Sequence, residues 1–445
     1  MFTTGTRSKA CDPSRSPLVV IGGGAAGLEF VTRFARRRPA AARRDGLVLI
    51  DRALSHIWKP RLHEIATAMQ NQSSAESSFL AHANTHGYRF EIGALQSIDA
   101  AARRVHLEAL TGPDGRELLP TRTIGYGQLV LALGSEENDF GTPGAREHCL
   151  FLNTPAQAVQ IREALLAGAF RLARGQQDAL SIAIIGGGAT GVELAAEIRD
   201  AMDALWRHEP GLERDRVRLT VVEGANRLLA ANPQEVSDYA EASLSRRSVA
   251  LALAERVVAV DANGLALASG RRIDATLKIW TAGIRGPRVL EDSPALPRSV
   301  SGRVRIDDRL QCEGVPYIHA MGDCAEWIDP ASGRPAPYTA QVASAQARYL
   351  ARAFALRISG YEPAPFRFAT AGAIVSIGES DAAGNLTTRL GRRSRDHFIQ
   401  GMSAQLVYAA LYRRHEFEVH GWRRAMARWV AERLSQSYEP AIKLH

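Results

Sequence analysis

A chain of 445 residues is too long for one ordinary hydrophobic core, so two or three domains are expected. Its 46% hydrophobic and 23% charged content excludes a disordered protein. The net charge of +8 is carried by arginine, with lysine only at Lys9, Lys59, Lys278 and Lys443, and no nucleic-acid partner is expected from it.

The first seventeen residues, MFTTGTRSKACDPSRSP, lack an apolar core and read as a loose tail, not a signal peptide. No apolar run reaches the roughly 18 to 20 residues that cross a bilayer. The chain is therefore expected not to span a membrane. Cys11, Cys149, Cys312 and Cys324 are scattered and form no C-x-x-C pair, which excludes a disulfide framework and a zinc site and suits a reducing cytoplasm.

From residue 18, LVVI is a short apolar, β-branched run suited to a strand buried on both faces. Gly22, Gly24 and Gly27 follow, and then Leu28, Val31, Phe34 and Ala35 at helical spacing. In such a strand–turn–helix the first glycine permits the tight turn and the second admits a pyrophosphate to the backbone. The third lets helix pack on strand. The helix N-terminus then faces the phosphates. LVLID ends at Asp51, 24 residues past Gly27, where an acid bonds the adenosine ribose.

YGQLVLALGS, residues 126–135, is a strand running into a small-residue turn at Gly134. The glycine device then recurs: SIAII leads to Gly186, Gly188 and Gly191, and VRLTVVE ends at Glu223. An acid there accepts from ribose hydroxyls and repels a 2′-phosphate, favouring NADH over NADPH, while Arg227 close by softens that preference. LKIWTAGIRG, residues 277–286, is a second strand with a small-residue turn, at Gly283. VPYIHAMGDCAEW places Gly322 and Asp323 after a strand. Asp323 either bonds the ribityl and pyrophosphate region of a flavin or caps the next helix.

Two complete dinucleotide sites imply one nucleotide held and one exchanged, and the economical chemistry is hydride transfer from nicotinamide to flavin. Beyond residue 386 the character changes. TTRLGRRSRDH reads as a basic linker and FIQGMSAQLVYAALYRR is apolar nearly all round. HGWRRAMARWVAERL sets Trp422, Met426, Trp429 and Val430 on one arc, with Arg424 and Arg428 opposite. That pattern suits an interfacial helix on anionic lipid, or a helix pair packed on the core or on a second subunit.

These residues resemble the type II NADH:quinone oxidoreductases of the two-dinucleotide flavoprotein superfamily. The likeness covers about residue 18 to the end. Beyond the glycine motifs it is carried by HIWKPRLHEIATA (56–68), LVLALGSEENDFGTPGAREHCLFL (129–152), GDCA (322–325), GAIVSIGESDAAGNL (372–386), LYRRHEFEVHGW (411–422) and the closing KLH. The resemblance implies non-covalent FAD at Gly22, Gly24, Gly27, Asp51 and Asp323, with Lys59 and Pro60 in the loop beside the isoalloxazine. It places NADH at Gly186, Gly188, Gly191 and Glu223, with Glu193 near the nicotinamide. Lys59 is either a cation stabilising reduced flavin or a solvated surface lysine.

The same likeness implies electron delivery to a membrane quinone without proton pumping, a homodimer, and peripheral attachment to the cytoplasmic face of a bacterial inner membrane. Disulfide reductases of this architecture are excluded by the missing cysteine pair. Cys149 and Cys324 match positions where the family itself often has cysteine, and read as small hydrophobes rather than the reactive pair of a sulfide:quinone oxidoreductase.

One departure concerns the acceptor. The family pattern A-Q-x-A-x-Q is matched at Gln341 and Ala343, but Ala345 takes the second glutamine position and Gln346 falls one place later. At about 100° per residue, Gln346 lies on a different helix face and does not substitute. An NADH diaphorase with a soluble acceptor and a slow-turnover flavin-containing NADH sensor are the rival readings.

The expected fold is α/β with two Rossmann-like domains, the NADH domain inserted in the FAD domain, and a C-terminal membrane-facing segment. The expected boundaries are a disordered tail over 1–17, FAD-binding parts over 18–145 and 286–365, an NADH-binding domain over 146–285, and a dimer or membrane-anchoring segment over 366–445.

Overall fold

The computed structural model describes residues 16–37, 46–70, 76–209, 211–378, 381–390 and 393–436. The tail expected over 1–17 lies, up to residue 15, outside the described residues, as do Cys11 and the closing KLH. The chain divides into two compact units. One is Met1–His56, Ser77–Ser135 and Arg285–Phe368; the other is Ile57–Glu76, Glu136–Ile284 and Ala369–His445.

The first unit is built on a parallel sheet ordered Val315–Ala320, Gln128–Leu131, Leu18–Ile21, Leu47–Asp51, Arg89–Ile92. Leu18–Ile21 sits near the middle, with Val20 opposite Val130 on one side and Leu49 on the other. Val19, Val20, Val48 and Leu49 are fully buried, which is why these strands read as continuous apolar runs with no alternation. Helix Ala25–Arg37 packs on helix Ala340–Ile358, where Phe30 lies 5.9 Å from Phe354 between ring centroids.

The second unit repeats the plan. Its parallel sheet is ordered Leu150–Phe151, Leu277–Trp280, Leu180–Ile185, Val217–Val222, Val249–Ala252. In both units the glycine-bearing strand lies between the strand that ends at the acid and the strand that leads to a small-residue turn. In both, a three-stranded antiparallel meander precedes that last strand: Leu95–Asp99, Arg104–Leu107 and Arg122–Gly125 in one, Val257–Asp261, Gly264–Leu267 and Arg272–Asp274 in the other.

Residues 372–400 carry an antiparallel sheet, Gly372–Ser376, Ala382–Leu390 and Arg393–Gln400. The stretch read as a basic linker is thus a hairpin. Cross-strand pairing such as Thr387 Oγ1 to Asp396 Oδ1 at 2.6 Å holds an arginine-rich segment whose composition alone suggests a loop. Helices Gly401–His420 and Trp422–Gln436 follow. Met402, Leu406 and Trp422 on them are 70%, 68% and 67% exposed, far more apolar surface than a solvated helix pair needs. No helix among the described residues is long and apolar enough to cross a membrane.

Candidate functional site

In the first unit the turn after Leu18–Ile21 is held by backbone. Gly22 N donates to Ile50 O at 2.8 Å, and its φ of +101° suits glycine. A Cβ on Gly27 would stand 1.8 Å from Gly22 O, so the helix lies against the turn only because Gly27 has no side chain. A Cβ on Gly24 would meet nothing within 4 Å. That open approach, at the head of helix Ala25–Arg37, is the cradle a pyrophosphate fits.

The second unit reproduces each feature. Gly186 has φ +116°, a Cβ on Gly191 would stand 1.9 Å from Gly186 O, and Gly188 faces open space. The two acids act alike as well. Asp51 Oδ2 accepts from Gly23 N at 2.6 Å and Oδ1 from Ala53 N at 2.8 Å. Glu223 Oε2 accepts from Gly187 N at 2.5 Å and Oε1 from Ala225 N at 2.7 Å. Each carboxylate therefore fixes its own glycine turn, a role that strand and helix patterns do not assign. Burial raises the Asp51 pKa, while the bonds from Ala53 and Gly23 oppose that rise. Arg227 is committed locally: it donates to Ala230 O at 2.8 Å, Asn232 O at 2.9 Å and Ser237 Oγ at 2.5 Å.

Asp323 lies in the short 3₁₀ turn Gly322–Cys324, and the chain continues as strand Ala325–Asp329, so no helix follows directly for it to cap. Ser135 Oγ, just past Gly134, donates to Asp323 Oδ2 at 3.1 Å. Arg303 Nε donates to Asp323 O at 3.0 Å, and its guanidinium lies over the Tyr338 ring at 3.7 Å. Gly322 lies against Ala26 of the glycine helix, whose Cβ would be 3.6 Å from a Cβ at Gly322. The structure thus gathers Gly22, Gly24, Gly27, Asp51, Gly134, Gly322 and Asp323 in one unit. Gly186, Gly188, Gly191, Glu223 and Gly283 gather in the other.

The stretch from Gln341 to Gln346 lies on helix Ala340–Ile358, which opens with the Thr339 hydroxyl accepting from Val342 N at 3.4 Å. Gln341 and Ala345 are half-buried on one face. Gln346 points inward, 2% exposed, and its Oε1 accepts from Gly322 N at 2.7 Å. Helical spacing separates the two glutamines; only the packing reveals that Gln346 holds the Gly322–Asp323 turn.

Lys59 and Pro60 open a 3₁₀ turn, Lys59–Arg61, in the second unit. Exposed Lys59 donates from Nζ to Asn153 Oδ1 at 2.6 Å, and Asn153 Nδ2 donates to Glu137 Oε2 at 3.2 Å. Glu193, one turn into helix Ala189–Trp206, is buried. Its Oε1 accepts from Ser376 N at 3.3 Å and Tyr408 Oη at 3.2 Å. Its Oε2 lies 3.5 Å from His63 Nδ1, and on the other side of that ring Nε2 lies 3.3 Å from Glu197 Oε1. Burial raises the Glu193 pKa to about 8 and lowers that of His63 to about 4. His63, Glu197 and Tyr408 escaped the sequence reading, although a spacing of four between Glu193 and Glu197 already puts both carboxyls on one helix face.

Burial pushes the thiol pKa up to about 12 at Cys149 and Cys312 and about 11 at Cys324. All three are buried and unbridged, the environment of inert small hydrophobes.

Residues 16–347 match the family described as pyridine nucleotide-disulphide oxidoreductase. The chain is 31% identical to a type II NADH:quinone oxidoreductase of Haemophilus influenzae, over 96% of this chain and 99% of the relative. It is 28% identical to the demethylphylloquinone reductase NdbB of a Synechocystis species, over 83% and 86% of the two chains. The solved structure of NDH2 from Plasmodium falciparum in complex with NADH shares the fold. Its TM-score is 0.77 at 16% identity, covering 91% of this chain and 97% of that one. With duplicated nucleotide cradles, a family match over most of its length and a relative above 30% identity, the chain belongs to the pyridine nucleotide-disulphide oxidoreductase family and, within it, to the type II NADH:quinone oxidoreductases.

Proposed function

We propose that this chain oxidises NADH through a non-covalent FAD and passes two electrons to a membrane quinone. The observation that carries this reading is the pair of matched cradles, Gly22–Gly27 with Asp51 and Gly186–Gly191 with Glu223. Residues 18–145 and 286–365 are assigned to FAD, with Gly134, Gly322 and Asp323 completing its site, and residues 146–285 to NADH, with Gly283 at its edge. Bound flavin supplies hydride acceptance and release of the electrons to the acceptor. Lys59 and Pro60 are assigned to the isoalloxazine side, Glu193 to the nicotinamide and Gln341 to the quinone.

Rapid mixing of the yellow holoenzyme with NADH, then of reduced enzyme with a short-chain quinone, tests the reading. Fast flavin bleaching followed by fast recovery supports it. Recovery with soluble dyes but with no quinone returns a diaphorase, and a long-lived reduced complex that turns over slowly returns a sensor.

NADH is preferred over NADPH because Glu223 meets the ribose and Arg227 is committed to its own loop. Glu223→Gln keeps one acceptor oxygen but removes the charge. A charge-assisted hydrogen bond contributes about 1.5 to 3 kcal/mol, so the ratio of kcat/KM values narrows by roughly tenfold or more. Equal use of both nucleotides by the unaltered enzyme removes Glu223 from this role.

The C-terminal helices are assigned to an anionic membrane surface on the cytoplasmic side, and the homodimer to the same segment. Met402, Leu406 and Trp422 supply the apolar contact, and Arg423 and Arg424 the charge. Burying each large apolar side chain contributes about 1.5 to 3 kcal/mol. Replacing Met402, Leu406 and Trp422 together by serine lowers binding to anionic vesicles by at least about a hundredfold in a flotation assay. Unchanged flotation with loss of the dimer in sedimentation assigns this face to a second subunit instead.

A further inference from the structure

The cluster around His63 sets one imidazole between two buried carboxyls, a geometry that calls for at least one shared proton. The ring, 3% exposed, stands between two carboxyls, Glu193 Oε2 at 3.5 Å from Nδ1 and Glu197 Oε1 at 3.3 Å from Nε2. Neutral imidazole carries one N–H and one lone pair. Its N–H faces one glutamate, and the other must carry a proton to face the lone pair. With imidazolium both glutamates are ionised. In either case the three groups together hold at least one proton more than two free carboxylates and a neutral ring.

The surroundings keep that proton there. Glu64, held by Arg61 at 2.6 Å, and Asp200, which lies 3.4 Å from Arg247, add negative potential from the helices that pack around the cluster. Against retention, Thr67 Oγ1 donates to Glu197 Oε2 at 3.2 Å, and Ser376 N and Tyr408 Oη donate to Glu193, bonds that favour the ionised carboxylates. Among the described residues, Arg61 is the nearby cation that opposes protonation of the ring. Burial raises both glutamates, Glu193 to about 8 and Glu197 well above its usual value. Meanwhile Nε2 is buried without a well-directed hydrogen bond, so its partner is in contact range but not locked in line.

We propose that His63 is a positioning residue that makes Glu193 and Glu197 a two-position proton store feeding the quinone reaction through Glu193. The proposal rests on the assignment of Glu193 to the nicotinamide side given above. Reduction of quinone by NADH consumes a proton beyond the hydride: NADH, one proton and quinone give NAD⁺ and quinol. At rest the stored proton sits on Glu197, with Nδ1–H facing ionised Glu193. On demand the Glu197 O–H bond breaks as Nε2–H forms, and Nδ1–H breaks as a Glu193 O–H forms. That O–H then breaks as the proton leaves for the quinone reaction. Between turnovers a proton enters at Glu193 and the same exchange runs backwards, which restores Glu197 and the original ring tautomer. No electron moves and no other reactant is needed.

Two measurements on the holoenzyme test this. Infrared spectra at neutral pH should show a protonated-carboxyl C=O band that shifts in D₂O and weakens in Glu197→Gln. Rapid mixing of His63→Gln should leave flavin reduction by NADH at its normal rate and slow reoxidation by quinone roughly a hundredfold, the size of a lost acid–base contribution. Reoxidation by His63→Gln should then fall steadily with rising pH and recover in imidazole buffer, whereas the unaltered enzyme should slow only above about 8. A merely structural role would change both half-reactions together and give no buffer rescue. Absence of the infrared band from the unaltered enzyme, or an unchanged pH profile in His63→Gln, overturns the store. An unaltered enzyme that NADH reduces but no quinone reoxidises overturns the acceptor assignment instead, and the infrared band then decides separately whether the proton is held.

Discussion

Gly27→Val is expected to give a colourless, destabilised protein, while Gly24→Ala is expected to fold normally and bind flavin poorly. The contrast arises from the atoms each missing side chain would meet. At Gly27 a Cβ falls 1.8 Å from Gly22 O. That oxygen cannot step aside, because Gly22 N is tied to Ile50 O at 2.8 Å and a Cβ on Gly22 would itself stand 2.3 Å from Ala132 O. Helix and sheet must part to admit valine. Overpacking of this kind costs typically 1 to 3 kcal/mol, and about that or more is expected where the obstacle is backbone. At Gly24 nothing lies within 4 Å, so alanine leaves the apoprotein unstrained and intrudes only on the ligand. Flavin absorbance of the purified proteins and their thermal midpoints separate the two effects. A yellow Gly27→Val protein of normal stability would show that this turn does not hold the flavin.

Gln346→Leu is the second change expected to act strongly, on flavin retention rather than on the quinone. The side chain is buried, and its Oε1 is the acceptor for Gly322 N at 2.7 Å. Leucine fills similar space but accepts nothing. A buried donor left unsatisfied costs about 1 to 3 kcal/mol. The cost falls on the turn that sets Asp323 against Ser135. If half or more of it appears in binding, FAD affinity drops by roughly two- to 150-fold, read by titrating apoprotein with FAD. Gln346→Glu retains an acceptor oxygen and should recover most of the affinity. An unchanged FAD affinity in Gln346→Leu would mean that this turn does not bear on the flavin.

Much of the fold is written locally. LVVI, LVLID, SIAII and VRLTVV can only be short strands buried on both faces, and each glycine triplet fixes the tight turn and the start of the helix after it. Asp51 and Glu223 could be placed because they close the strand next to each glycine strand. The buried thiols accord with their scattered spacing and the lack of any pair. The basic stretch before residue 400 misled because arginine content predicts solvent, whereas a hairpin needs only satisfied ladders and tolerates charge on an open face.

The sequence by itself determined the duplicated strand–turn–helix units, the acids that end their second strands and the family they point to. Those signals depend on backbone sterics and on periodicities of two and 3.6 residues, which neighbouring residues impose. The tertiary structure alone decided that both acids clamp their own glycine turns, that Gln346 serves Gly322, and that His63 stands between Glu193 and Glu197. Those contacts join residues from 24 to 134 positions apart, and periodicity reports which helix face a side chain occupies, not what packs against that face. A polar side chain inside a protein takes its role from the partner that compensates its lost water, and the fold chooses that partner.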